Sequence, residues 1–332
     1  MRALRRFLPD DFTLALLTTV ALASLLPCRG ALVPAFDTAT DLAIGLLFFL
    51  HGARLPREAI LAGLSHWRLH LAVLFSSFVM FPLLGLALAP LSPTVLPHPL
   101  YLGVLFLTTL PSTVQASIAF TSMAGGNVPA ALCAASGSSL LGTFITPLLV
   151  GVLMRAHGGL SLNAVEAVAV QLLLPFLAGQ ALRPWLGRVI ERRRALLGVV
   201  DRGSILLMVY TTFSAAMVAG LWRQVPLSSL ALTALVAGVL LAAVLGLTTA
   251  LARLLGFARA DEITLVFCGS KKSLVNGIPM AHVLFAGDVA GLIVLPLMLF
   301  HQLQMIACAS LARRYAARRD RAPARALTPA NV

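Results

Sequence analysis

Apolar runs long enough to cross a bilayer follow one another along most of the chain, separated by short polar breaks. A membrane-crossing helix needs about 20 such residues. On that measure the pattern predicts ten spans: 11–27, 38–54, 67–89, 99–124, 128–154, 163–182, 203–222, 227–252, 261–285 and 287–311. The connections leave no room for a separate soluble domain. The predicted fold is an all-α polytopic membrane protein over residues 1–313. A basic, Ala/Pro-rich cytoplasmic tail over 314–332 is expected to be disordered.

Two spans are interrupted. Span four contains LTTLPSTVQASIAF and span nine LVFCGSKKSLVNGIPMA. Each has a centre rich in helix breakers, Pro111-Ser112-Thr113 in one and Gly269-Ser270-Lys271-Lys272 in the other. After a similar interval each reaches a turn of small residues, Gly126-Asn127-Val128 and Gly287-Asp288-Val289. The chain thus reads as two repeats, 11–154 and 163–311. An odd number of spans per repeat inverts the second relative to the first. Paired, interrupted spans in an inverted repeat point to the central site of a transporter.

Composition supports the membrane reading. Of 332 residues 59% are hydrophobic and 11% charged, against about 25% charged in soluble domains. A net charge of +13 would suggest nucleic acid in a soluble chain. Here the arginines sit between apolar runs. With the N-terminus inside, twenty fall in cytoplasmic segments and three (Arg29, Arg155, Arg223) outside. That bias places both termini in the cytoplasm and takes the place of a nucleic-acid reading. The four cysteines, Cys28, Cys133, Cys268 and Cys308, lack metal-ligand spacing and read as small core residues. No cofactor is expected. No nucleotide-binding loop appears, so ATP-driven transport is excluded for this chain alone. No span carries a deeply placed Asp or Glu, which argues against a carboxylate proton relay.

The chemistry concentrates at the breaks. A Lys at the centre of a span costs about 2.5–3.5 kcal/mol even on the lower scales. Lys271 and Lys272 must therefore face a polar cavity, find acceptors or lose their charge. They are read as an anion or coupling site, or as structural counter-charges holding the broken helix. Freed N–H groups at a half-helix start cradle anions, and freed carbonyls suit cations. Candidates beside the breaks are Ser112, Thr113, Gln115, Ser117, Ser270 and Asn276. Ordinary interhelical hydrogen bonding accounts for Ser112 and Thr113 equally well. Gln115 and Ser117 are expected to share one polar pocket with the two lysines. His301, Gln302 and Gln304 in span ten line a cavity or pack in the core. Asn127 is expected to cap span five, with Pro129 at its start. Asp261 is a candidate cap for span nine, with Glu262 interfacial. His66, Trp67 and His70 read as interface anchors.

The stretches LPSTVQASIAFTSMAGGNVPAAL, DEITLVFCGSKKSLVNGIPMA and HGARLPREAI…HWRLHL resemble the SBF-like branch of the bile acid:sodium symporter superfamily, and within it the bacterial inner-membrane members. The resemblance covers nearly the whole chain. It implies a ten-helix fold in which spans one, two, six and seven form a panel. The other six form a core, with broken spans four and nine crossing and transport by movement of core against panel. Sodium-coupled members place a carboxylate in the broken part of span nine, where this chain has Gly269-Ser270-Lys271-Lys272. They also place hydroxyls in span five where this chain has Ala131 and Ala135. Ser117 matches a sodium-ligand hydroxyl and is the one residual sodium ligand implied.

The function expected is secondary transport of a small, anionic organic solute across the bacterial cytoplasmic membrane. The partners are the bilayer and that anion. The coupling ion is sodium or the proton, and sodium independence follows if the lysine charge replaces the cation. A non-transporting membrane regulator or ion-homeostasis protein on the same fold is the alternative. An intramembrane Ser–Lys enzyme using Ser117 or Ser270 is a third reading, without an oxyanion element to support it; a non-enzymatic role is expected.

Overall fold

A computed structural model describes residues 11–54, 66–155, 169–220, 225–285 and 287–321. Among these residues regular structure is entirely helical. Thirteen α-helices follow in order: α1 (Asp11–Leu25), α2 (Val33–Arg54), α3 (Trp67–Phe75), α4 (Phe81–Ala87), α5 (His98–Thr109), α6 (Val114–Ala124), α7 (Val128–Arg155), α8 (Leu174–Arg192), α9 (Arg194–Val218), α10 (Leu227–Leu254), α11 (Arg259–Gly269), α12 (Leu274–Leu284) and α13 (Gly287–Arg321). Six helical stretches are long and apolar enough to cross a membrane. The α5–α6 pair, bent by 64° at its break, makes a seventh. The first six residues of span six, 163–168, lie outside the described residues.

Several boundaries differ from the sequence expectation. α2 begins at Val33 rather than 38, because Pro34 suits a first helical turn where its missing N–H costs nothing. That shift puts Asp37 on the helix, ahead of Asp41, which already lay inside the span expected from residue 38. α13 continues to Arg321, so the tail is helical over residues 314–321. Its YAARRDR stretch is rich in Ala and Arg, which favour helix. α11 is capped at Ala258, not Asp261, which sits in the first turn. Glu262 is buried rather than interfacial, with Arg259 at 2.6 Å and Arg253 at 3.9 Å.

The helices pack in two groups. In one, α2 lies along α8, α1 along α9, and α9 against α2. In the other, α13 packs on α5, α6, α10 and α12, while α11 packs on α3, α6, α7 and α10. α9 joins the groups by touching α12 and α13. The α2–α8 contact is set by two glycines in like sequences, FLHG at 49–52 and FLAG at 176–179. A Cβ at Gly52 would lie 2.0 Å from the Phe176 carbonyl oxygen, and one at Gly179 2.0 Å from that of Phe49. Small residues let the two backbones approach this closely. Gly52→Ala is therefore expected to destabilise the protein by about 1–3 kcal/mol through overpacking. A thermal melt of the purified variant measures it, with Gly45→Ala, whose added Cβ meets only Pro175 at 3.9 Å, as the control expected to melt like the unaltered protein.

Candidate functional site at the crossing of two broken helices

α5 ends at Thr109 because Pro111 has no N–H to continue the ladder. α11 ends at Gly269, and Ser270 to Ser273 leave the helix before α12 begins. A broken helix leaves carbonyls without helical donors, and at the first break those of Thr108 to Pro111 all find partners. Thr109 O accepts from the Thr146 hydroxyl at 2.8 Å. Pro111 O accepts from the Ser273 N–H at 2.9 Å. The Lys272 ammonium donates to Thr108 O at 2.7 Å and to Leu110 O at 2.6 Å.

Its third bond, 2.7 Å to Ser77 O, comes from a different defect. Residues Ser76–Met80 form a π-turn between α3 and α4. There the Phe81 N–H bonds to Ser76 O, so it is withdrawn from Ser77. The next residue, Pro82, has no N–H to offer. Ser77 O is thus left without a helical donor and turns to Lys272. Three carbonyls at 2.6–2.7 Å match the three donors of an ammonium. The Phe81 ring centroid, 4.1 Å from Nζ, closes the cage.

The second break is tied down by the first. The Ser112 hydroxyl donates to Cys268 O at 2.6 Å, and the Ser117 hydroxyl to Phe267 O at 3.1 Å. Their oxygens are 3.3 Å apart. The Thr113 hydroxyl donates to Lys272 O at 3.0 Å. Gln304, fully buried, grips the same peptide unit from α13: its Nε2 donates to Lys272 O at 2.9 Å, and its Oε1 accepts from the Lys272 N–H at 3.0 Å. His301 Nδ1 lies 3.0 Å from that Nε2. Ser273 caps α12 by accepting from the Asn276 N–H, and the Asn276 amide donates to the Ser139 hydroxyl at 3.0 Å.

The structure therefore gathers Ser112, Thr113, Ser117, Lys272, Asn276 and, through Gln304, His301 around one crossing. It does not form the single lysine pocket expected from the sequence. Residues 271–273 are not helical, and neighbours in extended chain point to opposite sides. Lys271, also fully buried, lies over the Phe120 ring at 4.1 Å on α6. Its Nζ meets no oxygen or nitrogen acceptor. Gln115 is exposed on α6 rather than in a lysine pocket, because it projects from the other side of that helix than Ser117. Ser270 bonds back to Val266 O, one turn earlier in its own helix. Gln302 is half-buried, and the contact to the crossing is made by Gln304. Neither lysine amine is hydrogen-bonded to a serine hydroxyl, and Ser117 and Ser270 both donate to backbone, so no Ser–Lys dyad forms. Ala131 and Ala135 are fully buried beside Leu265 and Cys268, an apolar seam where the resemblance implies hydroxyl ligands. Asn127 caps α7 as expected, accepting from the Ala130 N–H at 3.1 Å. Its amide also donates to Asp261 at 2.9 Å.

A chain of apolar helices in which two interrupted helices cross and exchange the bonds of their broken ends has the construction of a secondary transporter. The chain belongs to the SBF-like CPA transporter family, whose description matches residues 10–317. It is 61% identical over 322 residues to a Pseudomonas aeruginosa protein, covering 96% of each chain. To the candidate symporter YfeH of Escherichia coli (strain K12) it is 56% identical over 307 residues, 92% of each. To the sodium/bile acid cotransporter 7 of Mus musculus it is 28% identical over 314 residues, again 92% of each.

Proposed function

We propose that the protein is a secondary transporter of a small anionic organic solute, resembling the bile acid:sodium symporters, in which Lys272 is a built-in cation. The observation that carries this is the cage of Ser77, Thr108 and Leu110 carbonyls on the Lys272 ammonium. Freed carbonyls of broken helices are where transporters of this construction coordinate a metal cation. Here a covalently attached charge occupies such a cage, and the span-nine acid and span-five hydroxyls of the sodium-coupled relatives are replaced by Lys271-Lys272, Ala131 and Ala135. Transport then needs no sodium at this position. The helix starts at Val114 and Leu274 add positive dipole ends beside the crossing, which favour an anionic solute. Lys271, with no carbonyl set of its own, is the group left to exchange a proton if protons couple transport.

The moving core comprises α3–α7 and α10–α13, and the panel α1, α2, α8 and α9. The helices correspond to ten spans, with both termini in the cytoplasm of a bacterial cell. A C-terminal reporter fusion is expected to be active on the cytoplasmic side, and activity on the periplasmic side would remove the ten-span topology. The substrate is found by a thermal-shift screen of the purified protein against organic anions, since a ligand that binds the folded state alone raises its stability. Uptake of the hit into proteoliposomes establishes transport. Binding without uptake would favour a regulator on the same fold.

A further inference from the structure

A second site lies away from the crossing. A cavity of about 530 Å³ opens between the start of α2 and the end of α9. Its wall is mostly apolar, with Val33 and Phe36 on α2 facing Ala215 and Val218 on α9. Three polar features interrupt it. Arg29 and Asp37, of opposite charge, both line it. They are eight residues apart in sequence, Arg29 in extended chain before a 3-10 turn and Asp37 on α2. Between the apolar walls lies Ser214, 2% exposed, whose hydroxyl has no hydrogen-bond partner. Buried hydroxyls are ordinarily paired, and this one borders an open cavity of the size that takes a small organic molecule.

We propose that this cavity binds an amphipathic zwitterion, with its acid group at Arg29, its amine at Asp37 and its apolar body along Phe36 and Val218, hydrogen-bonded on the way by Ser214. A purely apolar molecule would leave both charges and the hydroxyl unanswered, and a simple anion would meet Asp37. The site is distinct from the crossing and does not rest on the transport reading. Its position gives it a way to act. α9 is the wall between the cavity and the second helix group: the Thr212 hydroxyl contacts His282 Nδ1 on α12 at 3.2 Å. On the same side, a Cβ at Gly291 of α13 would lie 2.6 Å from the Ala216 Cβ. A molecule seated against Ser214 and Ala215 therefore presses on the helix that joins the two groups.

Cys28, a half-exposed free thiol, lines the same cavity and reports on it. The test uses the full chain carrying Cys133→Ser, purified in dodecylmaltoside, with Cys268 and Cys308 left buried. Maleimide labelling of Cys28 is followed with 8-aminooctanoate, octanoate or octylamine. The expected result is slowing by 8-aminooctanoate, about tenfold at ten times its Kd by the occupancy factor 1 + [L]/Kd, with far less from either singly charged probe. Arg29→Gln and Ser214→Ala are expected to weaken the protection, each variant compared with its own labelling rate without ligand. An unchanged rate with 8-aminooctanoate would overturn the proposal. So would equal protection by octanoate and octylamine, which would mark apolar filling alone. The three-probe comparison stands on the Cys133→Ser protein even if a further variant does not fold.

Discussion

Lys272→Met is expected to destabilise the protein by about 3–5 kcal/mol, the scale of removing one partner from a buried charged cluster, whereas Lys271→Met is expected to leave its melting temperature nearly unchanged. The two residues are adjacent, equally buried and each stacked on a phenylalanine ring at 4.1 Å. Composition and position cannot separate them. Their partners do. Methionine keeps the length and apolar stem of lysine but donates nothing, so Lys272→Met leaves the carbonyls of Ser77, Thr108 and Leu110 without donors. Each buried group so abandoned costs about 1–3 kcal/mol. At Lys271 no oxygen or nitrogen acceptor is lost, and removing an uncompensated amine from an apolar site offsets the lost ring contact. Thermal melting of the two purified variants in the same detergent decides it. Equal losses would mean that the carbonyl cage does not set the energetics of the crossing.

The second large effect is a gain of ion dependence. Lys272→Ala empties the cage but keeps its three carbonyls, because they are fixed by the π-turn at Ser76–Met80, by Pro82 and by the break at Pro111 rather than by the lysine itself. Such an oxygen set suits a monovalent cation. The melting temperature of Lys272→Ala is therefore expected to rise with sodium chloride and not with choline chloride. The gain is about 1.4 kcal/mol when sodium is at ten times its Kd. The unaltered protein should melt at the same temperature in both salts. A variant equally insensitive to both would show that the three carbonyls are hydrogen-bond acceptors for the lysine and no more.

Most of the helical architecture was legible in the chain. The alternation of long apolar runs with Arg-bearing breaks reflects a bilayer that tolerates no unpaired backbone, and it located the described helices to within a few residues. Larger errors fell where helix continues into polar sequence, at Arg192, Arg194 and Arg321, because propensity rather than hydropathy sets those ends. Pro111 and the glycines around Lys271 and Lys272 announced the two breaks. The destination of each lysine was hidden. It depends on which carbonyls the fold orphans, and one of these, Ser77 O, belongs to a distant helix. The pair Phe81-Pro82 after two serines was the available signal, since a proline removes a donor from a carbonyl one turn earlier. Gln304 was visible as a long amide in an apolar span. Its bidentate hold on the Lys272 peptide could be assigned only once α13 was placed beside the crossing. Asp37 falls outside the span expected from residue 38 because the helix starts earlier, at Val33 with Pro34 in its first turn.

Uptake of the anion identified by thermal shift, into proteoliposomes in sodium or in choline at several pH values, bears most directly on Lys272 as a resident cation. The expected result is saturable uptake that is the same in the two cations and varies with pH. Strong activation by millimolar sodium, saturable and absent in choline, would contradict it and place the protein among ordinary sodium symporters.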